Sequence, residues 1–192
     1  MVQEYETYKL HFNHDGITDL SIKVNVFSGT TAAEDVVSAV PRAKNGIEGG
    51  AHLNFYAAAL SKGASVGPKQ NFGGQAHGAL MAFVAETQYG SYQYGGNWVN
   101  VNRRYLGVKF RIRGKTHYGW VRANVWVTHQ GPGAGAILTG WAYETIANKA
   151  IIAGKTKGPD VITLEPGSLG RLAQGSAGLA SCRRKESTAG MH

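Results

Sequence analysis

Residues 103–127, RRYLGVKFRIRGKTHYGWVRANVWV, constrain the fold more than any other stretch of the chain. The run reads as a β-hairpin, with Gly114-Lys115 as a two-residue Gly-X turn that matches strand twist. With those two residues as the loop, Ile112 faces His117, Phe110 faces Gly119, Val108 faces Val121 and Leu106 faces Ala123. That set forms one apolar face. On the other face Arg111 meets Tyr118, Lys109 meets Trp120, Gly107 meets Arg122 and Arg103 meets Trp126. Side chains alternate along a strand, and paired residues share a face, so one register sorts both faces. A slip of one residue would turn the apolar set into water.

The second face interleaves cations with rings. No Asp or Glu lies between Glu86 and Glu144, whereas seven Lys or Arg do. Three readings follow. The face is a solvated surface steadied by cation–π pairs of ~0.5–1 kcal/mol each. Alternatively it docks an acidic or neutral polysaccharide, with rings stacking on sugars and cations pairing with acid groups. In the third reading it lies under another layer, with its Trp rings buried. For the docking reading the contact residues are Lys109, Arg111, Tyr118, Trp120, Arg122 and Trp126. Tyr92, Tyr94 and Trp98, on the Gly-rich 88–102 stretch, form a second candidate surface with Tyr89. Those rings stack on sugars or plug the end of a sandwich.

The rest of the chain supports an all-β domain. Residues 5–12 read as a strand, Asn13-His14-Asp15-Gly16 as a turn, and residues 20–27 as a half-buried strand by the alternation of Leu20, Ile22, Val24 and Val26. A short helical turn is expected after residue 32, ended by Pro41. Residues 51–60 lean towards strand, and residues 60–72 read as a loop. Residues 79–87 fit a strand or a short buried helix. Residues 88–102 read as an exposed loop, 131–135 as a turn, 136–144 as a strand and 150–155 as an edge strand. The 27 Gly and nine Tyr fit many tight turns between strands. Eight to ten strands without βαβ alternation predict a β-sandwich or jelly roll over residues 1–154, with a Gly/Ser-rich tail over 155–192.

Composition narrows the function classes. The formal charge of +8 favours acidic partners. No nucleic-acid-binding motif accompanies it, so nucleic acid is not the expected partner. A single cysteine, Cys182, excludes an internal disulfide and any site built from clustered Cys. No signal peptide is visible at the start, and no stretch has the ~18 apolar residues of a membrane span. Asn13, Asp15 and Asp19 have part of the spacing of a Ca²⁺ loop, with Gly16 at the bend. His11 precedes them in place of an acid, and no Glu closes the loop. An Asx turn is therefore the preferred reading, and calcium is the one cofactor considered. His117 reads as a structural histidine. Asp15, Asp19, Glu86 and Glu144 are the carboxylates available for acid–base work, but nothing in the sequence pairs them. Neither GxSxG nor HExxH occurs.

The tail carries a resemblance. Glu165-Pro166-Gly167-Ser168-Leu169, a Gly/Ala/Leu stretch and Arg183-Arg184-Lys185 resemble the PEP-CTERM sorting signal of bacterial secreted proteins. In that family a Pro-Glu-Pro motif precedes an apolar helix and a basic cluster, and an exosortase is thought to process the signal. Here Leu164 stands in place of the first Pro, and Arg171, Gln174, Ser176 and Ser181 interrupt the apolar run, so a span is not expected. The body resembles the same group. NHDGITDL at 13–20 is similar to its Asn-x-Asp-Gly-x-x-Asp opening. Tyr118-Gly119-Trp120 followed by Ala142-Tyr143-Glu144 is similar to its core. LSKGASVGPKQNF is similar to its Gly-x-x-Ile-Gly-Pro loop. The resemblance implies an extracellular or cell-surface β-sandwich associated with the bacterial envelope or exopolysaccharide, and no activity. The reading is a non-enzymatic surface or matrix protein binding polysaccharide. A self-assembling, homo-oligomeric structural subunit and a glycan-acting hydrolase are the alternatives.

Overall fold

A computed structural model describes residues 5–28, 33–51, 55–74, 78–87, 89–128, 133–158 and 160–164. The strands are β1 (Tyr5–Leu10), β2 (Leu20–Ser28), β3 (Ala33–Pro41), β4 (Gly46–Ala51), β5 (Phe55–Ala57), β6 (Ser65–Val66) and β7 (Phe72–Gly73). They continue with β8 (Ala79–Glu86), β9 (Tyr92–Gly95), β10 (Val101–Ile112), β11 (Lys115–Val127), β12 (Ala134–Glu144), β13 (Ile151–Ile152) and β14 (Val161–Leu164). The described residues contain no helix, so the chain is all-β.

One sheet runs β1-β2-β3-β8-β5-β4-β10-β11-β12-β14, antiparallel except for β5 beside β8. Strand β4 makes the corner. Its first half pairs with β10 and β7, and its second half, from Gly49, pairs with β5. A Cβ on Gly49 would overlap the Tyr56 carbonyl, so glycine is required where the strand bends. The sheet thereby curls until its two ends face each other. Phe12, which follows β1, packs 4.5 Å from Phe110 of β10 and 5.2 Å, edge-on, from Trp141 of β12. Leu20, Ile22, Val37, Met81, Leu106, Val108 and Val121 fill the space between.

The hairpin is present, with a shifted turn. Arg113 and Gly114 form the loop, both at positive φ (48° and 80°), and Ile112 pairs with Lys115. Two left-handed residues define a type I′ turn. From Arg104 to Ile112 each partner differs by two from the Gly114-Lys115 register: Phe110 faces His117, and Lys109 faces Tyr118. A shift of two keeps each side chain on its face, so the sorting of the faces survives. Arginine is a costly occupant of αL, by ~1–2 kcal/mol. Arg113→Asn should raise the unfolding free energy by about 0.5–1 kcal/mol, read by urea titration.

Three other expectations change. Residues 33–41 are a strand, not a helical turn; the β-branched Val36, Val37 and Val40 suit it. Pro41 sits at its end opposite Leu20, beyond the last pair with β8, where no N–H is needed. Residues 92–95 are a strand beside β8, and Trp98 is fully buried (0% exposed). The sheet also continues past residue 154, because Val161–Leu164 pairs with β12. Residues 165–192, with the sorting-signal motif, the basic cluster and Cys182, lie outside the described residues, as does the start of the 131–135 turn. No helix among the described residues is long and apolar enough to cross a membrane.

Candidate anion-binding groove

The outer face of β10 and β11 divides into a covered part and an open part. Residues 58–73 and 149–155 lie over the half nearer the turn. Strands β6 and β13 pair there, Gly63 N donates to Ala153 O (2.9 Å) and Ala153 N donates to Ala64 O (2.8 Å). Val66, Ile151 and Ala153 close a second core with Tyr105, Tyr118, Trp120 and Ala142. Trp120 is 2% exposed and meets Tyr105 edge-on at 5.1 Å. The third reading of the hairpin face therefore holds for Tyr118 and Trp120. Lys109 Nζ lies 5.4 Å from the centroid of Phe72. Arg111 turns to the hairpin end, where its Nε and Nη2 donate to Gly114 O at 3.2 and 2.7 Å.

Beyond Gly154 the cover ends and the sheet face opens. A cavity of about 650 Å³ lies there, lined by Lys62, Arg103, Tyr105, Arg122, Asn124 and Thr139. Two bulges build it. In β10 the pairing jumps between Val101 and Arg104, which lifts Arg103 out of the ladder at φ 53°. Asn124 Oδ1 accepts the Arg103 N–H (2.8 Å) and fixes the bulge. In β12, Arg122 faces Gly140 and Ala123 faces Leu138, leaving Thr139 as the extra residue. Arg122 Nε donates to Thr139 Oγ1 and Nη2 to Thr139 O, both at 2.8 Å, so the guanidinium is held in place before any ligand arrives. Arg104 donates to Ser61 Oγ and ties down the turn that carries Lys62.

Three cations thus meet at one opening, and among the described residues no carboxylate lines it. Alternation along β11 sets Arg122, Asn124 and Trp126 in one row, ~6.8 Å apart. Trp126 is 43% exposed, and its ring lies over Gly135, where a Cβ would overlap it. Exposed Ile137 pairs with Asn124 and flanks the row. The arrangement can pair with acid groups at one end and stack on an apolar face at the other.

Of the residues singled out from sequence, Arg103, Arg122 and Trp126 belong to this surface. Lys109, Arg111, Tyr118 and Trp120 do not. Trp98 is core, Tyr92 is half-buried opposite Glu86, and Tyr94 is 51% exposed on β9. A second hollow of about 410 Å³ lies between Gly50, Tyr56, Gly96 and Asn97. Sequence reasoning missed Lys62, Asn124 and Thr139 as lining residues. Thr139-Gly140 inside a strand was the available sign of a bulge.

The turn at 13–19 is closed by its own hydrogen bonds. Asn13 Nδ2 donates to Asp15 Oδ2 (2.8 Å), and Ile17 N donates to Asp15 Oδ1 (2.8 Å). These bonds hold the Asp15 carboxyl below its usual range. Asp19 points inward and accepts from Phe12 N (3.0 Å) and Asn45 Nδ2 (3.4 Å); burial pushes its pKa up. No group of three His, Cys, Asp or Glu converges among the described residues. His117 is buried, with Nδ1 3.0 Å from Glu144 O. Glu144 is buried and pairs with Lys149 at 3.4 Å, and Asp160 meets the same Lys149 at 3.0 Å.

No protein-family model matches the chain, and no curated protein or solved structure matches it.

Proposed function

We propose that the chain is a non-enzymatic binding module for acidic polysaccharide, acting through the groove of Lys62, Arg103 and Arg122 and the neighbouring Trp126. One observation carries this reading: three cations converge beside an exposed indole at an opening that no described carboxylate lines. The formal charge of +8 draws an anionic polymer to the surface. The preset Arg122 fork suits a carboxylate or sulfate group, and the indole face suits a sugar ring. The resemblance of body and tail to PEP-CTERM-type proteins supports a setting at the bacterial cell surface or in its matrix.

The test is retention on immobilised polygalacturonate against immobilised neutral glucan, with a salt gradient. The module should be retained by the acidic resin and released as salt screens the pairs. Trp126→Ala should weaken the interaction at least about five-fold, or ~1 kcal/mol. Equal retention on both resins, or none on the acidic one, contradicts the reading.

A further inference from the structure

We propose that Glu48 is a protonation-controlled latch on residues 58–73, the segment that brings Lys62 to the groove. Glu48 lies in β4 at the root of that segment. Ala58 N donates to Glu48 O (2.9 Å) where the segment leaves, and Phe72 pairs with Glu48 where it returns. Asn71 reinforces the closure, its Nδ2 donating to Gly49 O (3.2 Å) while Gly49 N donates to Asn71 O (3.1 Å). The carboxyl is thus held where the segment begins and ends.

The side chain is 9% exposed, and Oε2 has no hydrogen-bond partner. It lies across Gly107 of β10, where a Cβ would overlap Oε2. Glycine at 107 makes room for the carboxyl between β4 and Trp120, the residue opposite Gly107 on β11. The ionisable groups on the surrounding elements are Arg103, Arg104, Tyr105, Lys109 and Arg111 on β10, Lys115, His117, Tyr118 and Arg122 on β11, Tyr56 on β5, and Lys62 and Lys69 in the segment. None bonds to Oε2, and Lys109 is turned over Phe72. A neutral carboxyl is tolerated in this place, whereas a carboxylate has no compensating charge or donor. Burial alone moves the group from 4.5 to about 7.

Ionisation is therefore relieved by lifting residues 58–73, which lets water reach Glu48. The latch is closed when Glu48 is protonated and loosens as pH rises through neutrality. Stability held in the closed segment is full below the ordinary carboxyl pKa and is lost up to the raised one. Lys62 leaves its place with the segment. That consequence rests on the groove reading; the latch itself does not.

Amide hydrogen exchange on the intact chain at pH 5 and pH 8.5, corrected for intrinsic rates, tests the latch. Opening at Ala58, Gly63 and Ala64 should rise by up to about 70-fold between the two pH values, the ratio set by a shift from 4.5 to about 7. Ile22 and Val37, in the far half of the sheet, should not follow. In Glu48→Gln the change should disappear. Unchanged protection at 58–73 in the native chain overturns the latch. So does an equal rise throughout the sheet, or a rise that persists in Glu48→Gln. Binding to polygalacturonate, ionised at both pH values, separates the two ideas. Without binding at either pH but with the exchange signature, the groove reading fails and the latch stands. With binding and no exchange signature, the reverse holds.

Discussion

Trp120→Ala should cost about 3–5 kcal/mol of stability, and Trp126→Ala about 1 kcal/mol or less. The two residues are of one type, on one strand and on one face, six positions apart. They differ in what lies above them. Trp120 is covered by residues 58–73 and 149–155 and touches Tyr105 edge-on. Its removal leaves a cavity with Val66, Ile151 and Ala153 on the far wall, none long enough to fill it. Trp126 stands past the end of that cover with its ring over Gly135, and solvent replaces it when it is cut back. Urea titration of both variants decides the matter. Similar losses would mean that the two indoles share an environment, and the division of this face into a packed and an open half would be wrong.

The second large effect concerns binding. Lys62→Glu with Arg103→Glu should lower affinity for an oligogalacturonate at least about 100-fold, since each charge-assisted hydrogen bond contributes ~1.5–3 kcal/mol. Both side chains are exposed, so the fold should tolerate the change. The Arg103 backbone N–H, not its guanidinium, holds Asn124 and the bulge. Arg122 is a poorer choice because its guanidinium also fastens Thr139. Isothermal titration at low and moderate salt reads both the affinity and its salt slope. A double variant that binds as well as the native chain would remove the cations from the account.

The sorting of the hairpin faces was legible because parity survives an even slip. Leu106, Val108 and Phe110 reach the main core whether the loop is Gly114-Lys115 or Arg113-Gly114. The alternation of Leu20, Ile22 and Val24 likewise placed β2 correctly. The second layer was not legible. Its strands β6 and β13 are two residues each and come from segments more than 80 positions apart, so no local period announces them. That cover turned Trp120 and Tyr118 from candidate contacts into core. Trp98 was undecided for a similar reason: a Gly- and Tyr-rich stretch looks exposed, yet of the two readings, stacking on sugars or plugging the fold, its Trp takes the second and lies in the main core. The groove depends on two bulges. Arg103-Arg104 and Thr139-Gly140 were visible as doublets, but only the ladder shows that both project over the same stretch of β11.

The most direct measurement is NMR mapping, titrating the ¹⁵N-labelled chain with an oligogalacturonate at low salt. Lys62, Arg103, Arg122, Asn124 and the Trp126 indole N–H should shift together, while the Trp120 indole N–H stays still. Shifts confined to residues 89–98, or none at all, would contradict the groove reading.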